Sequence, residues 1–210
     1  MKDKRILFFT VLLCIVLPAT ELFGQVVKVN PIQLSAALSV GNVTLTATGN
    51  NASSGVGAVQ GTLRNNTSVE IGINVNITGG LYLSNSGAGQ NMLATRVFLR
   101  GGRYTQSGTN RYITLSAGAS VEISFEAFCT DLELDDPTSE ESFSTGSMPS
   151  VMLSISTSIT RYISDHFDVS LTIPVQLALW RAREKSEEEI EERFRFNRTE
   201  WAISTTIMSY

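Results

Sequence analysis

Between Val121 and Cys129 an apolar residue falls at every second position: Val121, Ile123, Phe125, Ala127 and Cys129. Successive side chains of a strand point to opposite faces, so this spacing predicts a strand with one buried face and Cys129 at its end. The acidic stretch that follows, Asp131 to Pro137, reads as a solvated turn leaving the sheet. Upstream, Val43–Thr48, Val56–Leu63, Val69–Ile77, Met92–Leu99 and Arg111–Leu115 carry comparable strand patterns. In Val69–Ile77, the residues Val69, Ile71, Ile73, Val75 and Ile77 share one face, opposite Glu70, Gly72, Asn74 and Asn76. Turn signals at Gly49-Asn50-Asn51, Asn65-Asn66, Gly79-Gly80, Gly101-Gly102 and Ala117-Gly118 separate these runs. Short strands with turns every ~8–12 residues predict an immunoglobulin-like antiparallel β-sandwich over residues 25–128.

After Pro149 the period changes. Met152, Ile155, Ile159 and Ile163 recur at helical spacing and predict a helix over Ser150–Ser164, with a strand through Val151, Leu153 and Ile155 as the rival. Pro174 suits the first turn of a helix running through Trp180. Ser186 and Glu189 match a capping box for a helix over Glu187–Phe196, and Thr199 is the expected cap of a last helix. The fold class expected is therefore α+β: the sandwich, then a small, mainly helical part over residues 129–210.

Residues 1–24 stand apart. Lys2, Lys4 and Arg5 precede the apolar run Ile6–Leu17, which falls short of the ~20 residues a membrane span needs. Pro18, Ala19 and Gly24 complete the pattern of an export signal peptide. The expected product is secreted, periplasmic or displayed at the cell surface, with no membrane span after signal removal. It keeps 13 basic residues against 18 acidic ones, a net charge of −5. Without a basic stripe, nucleic acid is excluded as a partner.

The residue inventory narrows the chemistry. His166 is the one histidine, so metal sites built on several imidazoles are excluded. No G-x-S-x-G elbow and no phosphate-cradling glycine loop occur. A Cys129–His166 nucleophile–base pair has no support in the spacing, and the expectation is a protein that is not an enzyme and holds no cofactor. Asp131, Glu133, Asp135, Asp136, Glu140 and Glu141 offer oxygen ligands for calcium but lack the order of an EF-hand loop, so a solvated loop is preferred.

Cys129 calls for an account, because cysteines in an oxidising compartment are normally paired. Its place on the apolar face predicts a buried, inert thiol; an intermolecular disulfide and an intramolecular bond masking the sulfur are the other options. Phe128-Cys129-Thr130-Asp131, with Pro137 following, resembles the [FY]-C-x-D…P segment of bacterial thioester domains. Gln176-Leu177-Ala178-Leu179-Trp180 is similar to their Q-x-A-x-W segment, although Val175 stands where the family usually has Thr. The chain also resembles a broader group of secreted bacterial proteins with an immunoglobulin-like N-terminal part and a segment like Gly89-Gln90-Asn91-Met92. The resemblance implies that Cys129 supplies a thiol and Gln176 an acyl group for an internal thioester, with Trp180 packed behind and Asp131 orienting the strand end. It further implies capture of an amine-bearing protein or glycan target. The alternative is a non-catalytic structural or binding module in which Cys129 is simply buried.

Overall fold

The computed structural model describes residues 30–210. The export signal expected over residues 1–24 lies outside the described residues. A short helix α1 (Leu34–Ser39) leads into nine strands: β1 (Val43–Gly49), β2 (Ser54–Asn65), β3 (Ile71–Asn74), β4 (Asn76–Asn85), β5 (Met92–Leu99), β6 (Thr105–Ser107), β7 (Asn110–Leu115), β8 (Ser120–Cys129) and β9 (Ser142–Thr145). A 3-10 turn at Ser150–Met152 opens the helical layer, α2 (Leu153–Asp165), α3 (Thr172–Arg181), α4 (Glu187–Glu191) and α5 (Arg198–Met208).

The strands do not form an immunoglobulin-like sandwich. Six of them close into a barrel in the order β1-β2-β8-β5-β4-β9, and β3-β7-β6 make a separate small sheet. Closure depends on β9, four residues beyond the acidic loop, which pairs with β1 through Ala47 and Phe143 and with β4 through Leu83 and Thr145. A closed barrel leaves no free strand edge, whereas a sandwich would leave several. Strand β2 runs against β1 closely enough that a Cβ at Gly61 would sit 2.1 Å from the Thr46 carbonyl oxygen. Only glycine permits that approach.

Val69–Ile77 is not one strand. Its first part pairs with β7 as β3, and after Val75 the chain enters the barrel as β4. Gly79-Gly80 marks no turn between strands; both glycines have positive φ and lie inside β4, where its register against β5 shifts.

Two apolar clusters organise the packing. On β8, Ile123, Phe125, Ala127 and Cys129 belong to the first, with Leu63, Val97 and Met92, and Phe128 points the other way into the second. There it meets Ile155, Ile159 and Ile163 of α2 and Ala178 and Leu179 of α3. The helical period read after Pro149 holds as α2, and α3 carries Pro174 in its first turn. Helix α3 is buried continuously from Pro174 to Trp180, because Leu177 and Trp180 join the barrel cluster as Val175, Ala178 and Leu179 join the helical one. The capping box of α4 forms at Ser186 and Glu189, but the helix ends at Glu191 and Phe194 turns back edge-on to Trp180, 5.2 Å between rings. Asn197, not Thr199, caps α5, accepting from the amides of Thr199 and Glu200.

Candidate functional site

Strand β8 and helix α3 meet at Cys129 and Gln176. Both are fully buried. The backbone N–H of Cys129 donates to Oε1 of Gln176 at 3.0 Å, and Nε2 of Gln176 donates to the Cys129 carbonyl at 2.7 Å. The side-chain amide thus pairs with the end of β8 as a neighbouring strand would. The Cys129 N–H also reaches the Ser53 carbonyl at 3.2 Å, so the two acceptors share it. The sulfur points to Met92 of β5, 3.5 Å from Sδ. Burial, followed by the nearby charges of Asp136 and Asp131, pushes the thiol pKa far above the ordinary cysteine value. At neutral pH the free group is a protonated thiol.

The sequence order that separates these residues by 47 positions says nothing about the contact; it arises because α3, joined to the barrel cluster by Leu177 and Trp180, brings Gln176 to the end of β8. Trp180, one turn beyond Gln176, packs into the barrel cluster with its indole N–H buried and unpartnered. Asp131 leaves the strand end and pairs with Arg183 just past α3, Oδ1 to guanidinium 2.5 Å, as Thr130 donates to its other oxygen at 2.8 Å. Arg183 also donates to the Thr130 carbonyl. The four residues named from the sequence, Cys129, Asp131, Gln176 and Trp180, therefore lie along one seam between β8 and α3.

The acidic loop is held by local partners. Glu133 pairs with Lys185, which lowers the Glu133 pKa. Glu141 accepts from the amides of Thr138 and Gly89 at 2.8 and 2.9 Å, and these bonds hold its carboxyl below the usual range. His166 sits at the end of α2, stacked on Tyr162 and bonded through Nδ1 to the Tyr162 carbonyl oxygen. Among the described residues, no group of three or more His, Cys, Asp or Glu side chains is placed to hold a metal ion.

Two features went unread in the sequence. One is the buried pair Arg96–Glu126, 2.6 Å apart on adjacent strands β5 and β8. The bulge between Ala94 and Arg96 turns Arg96 to the Glu126 face of the sheet, opposite Phe125, which in a sandwich would be the solvent side. The other is the role of Gln90, named from the sequence only within the Gly89–Met92 segment: its Nε2 donates to the Leu134 carbonyl at 2.7 Å and its Oε1 is buried without a partner.

No known protein family, curated protein or solved structure matches the chain. The resemblance to thioester-domain-like secreted proteins with an immunoglobulin-like N-terminal part is not upheld, because a closed six-stranded barrel stands where that part was expected. The contact of Cys129 with Gln176 stands on its own geometry. No helix among the described residues is long and apolar enough to cross a membrane.

Proposed function

We propose that the chain is an exported interaction protein in which Cys129 and Gln176 close to an internal thioester, held for transfer to an amine on a protein or glycan surface. The observation that supports this reading is the bond from the Cys129 N–H to Gln176 Oε1. That bond polarises the carboxamide of Gln176, and in the proposed step it serves the oxyanion that forms when the Cys129 sulfur adds. Packing between strand and helix holds the two groups in one geometry, so closure is an intramolecular step.

In that step the Sγ–Cδ bond forms and the Cδ–Nε2 bond breaks. The thiol proton leaves with the amide nitrogen as ammonia. In capture, a primary amine attacks the same carbon, the C–S bond breaks and one amine proton returns to sulfur. Nothing is oxidised or reduced. Burial of both residues keeps bulk water from the bond. Each molecule reacts once, so the protein is consumed rather than turned over and is not an enzyme.

Methylamine tests the reading. Incubation followed by peptide mapping is expected to place one methylamide on Gln176 and to release a titratable thiol at Cys129. Cys129→Ala and Gln176→Ala should each abolish incorporation. Labelling that survives Cys129→Ala, or none in the natural chain, overturns the proposal.

A second reading has its own observation. Nε2 of Gln176 also satisfies the Cys129 carbonyl, and the sulfur rests on Met92. On that reading the carboxamide is a structural clasp and the protein a non-covalent binding module. Its signature is a free thiol at Cys129 as soon as the chain is unfolded in denaturant.

A further inference from the structure

Past the end of α3, basic side chains reach back to the chain leaving β8. Arg183 donates through one terminal nitrogen to the Thr130 carbonyl and to Asp131 Oδ1, the latter at 2.5 Å. Arg193 donates to the Leu132 carbonyl at 3.2 Å, and Lys185 pairs with Glu133. Every residue from Thr130 to Glu133 is thus tied to the chain that follows Gln176.

Arg183 makes the bonds nearest to Cys129, and both of its anchor points are fixed. Its own N–H donates to the Trp180 carbonyl at 2.9 Å and continues the last turn of α3. The Thr130 N–H donates to the Asn91 carbonyl at 3.0 Å, which holds the strand end against the residue before β5.

In the unreacted chain Gln176 is itself a clasp, with both ends of its amide on Cys129. The thioester step removes half of that clasp. Nε2 departs as ammonia, and the Cys129 carbonyl loses its donor. A second tie must keep β8 against α3 while the sulfur moves from Met92 to Cδ of Gln176.

We infer that Arg183 is the positioning residue for this closure. It acts through Thr130, the neighbour of Cys129, and not on the reacting atoms. Standing seven positions beyond Gln176, about two turns of helix, it fixes the register of strand against helix at a second point. That role presupposes the thioester proposed above. One nitrogen makes both of its bonds, so an ammonium can replace the guanidinium where a neutral side chain of similar length cannot.

The test synthesises the chain without residues 1–24 in a cell-free system and follows the loss of one ammonia by intact mass over time. Arg183→Met is expected to close about tenfold more slowly than the natural chain, and Arg183→Lys within about threefold of it. Arg181→Met is the control, because Arg181 ties the same helix to α5 through Ser204 and Thr205. It should close at the natural rate even where its urea midpoint falls as far. Asp131→Asn removes the charge that Arg183 meets at nearly constant shape; it should also slow closure, and it carries the test if Arg183→Met does not fold. Closure at the natural rate in the variant that carries the test overturns the inference and leaves the thioester standing. Equal slowing by Arg181→Met does the same. A natural chain that never loses ammonia overturns both proposals, so the two failures are distinct.

Discussion

Gln176 is a polar residue inside a helix buried from Pro174 to Trp180, and it is tolerated there because both ends of its amide are bonded to Cys129. Leucine of similar size would leave the Cys129 carbonyl unpaired in the interior. In the unreacted chain Gln176→Leu is therefore expected to cost about 1–3 kcal/mol, read as a lowered urea midpoint at unchanged slope. Sequence reasoning found Cys129 through its apolar alternation. It found Gln176 only through a short motif, since nothing in a helical pattern reveals that one amide reaches a strand 47 positions away. Gln90 escaped for a related reason: its significance is an oxygen left without a partner, and a chain of letters carries no record of what is missing.

At the scale of elements, Arg96 on β5 and Glu126 on β8 bind the barrel to the turn after α2. Arg96 donates to Glu126 through Nε and a terminal nitrogen at 2.7 and 2.6 Å and to the Phe167 carbonyl at 3.0 Å. The Phe167 ring lies under Arg96 and Arg111, 4.8 and 3.9 Å from centroid to guanidinium carbon. Glu126→Ala strands a buried guanidinium and should cost about 3–5 kcal/mol. Removing both charges, as Arg96→Met with Glu126→Leu, should cost less than Glu126→Ala alone, and a double-mutant cycle in urea measures the difference. The strands themselves were legible as period-two runs. The burial of Arg96 and Glu126 was not legible, because a bulge sets Arg96 beside Glu126 and the chain at Phe167 covers that face.

A second clasp at this scale responds to pH. Glu141 ties the chain before β9 to Gly89, and its bonds to the Thr138 and Gly89 amides depress its folded pKa. A depressed folded pKa gives stability that is present above the unfolded value, near 4.5, and is lost as pH falls through the folded one. The protection factor of the Gly89 amide, its exchange corrected for the intrinsic rate at each pH, should therefore be lower in that acid window than at neutral pH. Glu141→Gln should show the lower protection factor already at neutral pH.

For the whole molecule, alternation does not distinguish a closed barrel from a sandwich, because both bury one face of every strand. What decides is β9, four residues long and exposed at three of them, too short and too polar to read as a strand. Val69–Ile77 shows the same limit. Ile73, Val75 and Ile77 are all fully buried as the alternation predicts, yet the chain changes sheets among them because both sheets share one core. Loss of β9 pairing should open the barrel: Phe143→Asp is expected to expose the edges of β1 and β4, seen as increased amide exchange at Ala47 and Leu83. The helical layer was more readable, since a period of 3.6 and a capping box depend on neighbours in sequence rather than on closure.

The central claim is a covalent bond between β8 and α3, and the intact mass of the chain without residues 1–24, purified without amine buffers, tests it most directly. The account predicts a mass lower than the sequence requires by one ammonia, with no thiol titratable in denaturant. The full calculated mass with one free thiol at Cys129 would contradict it.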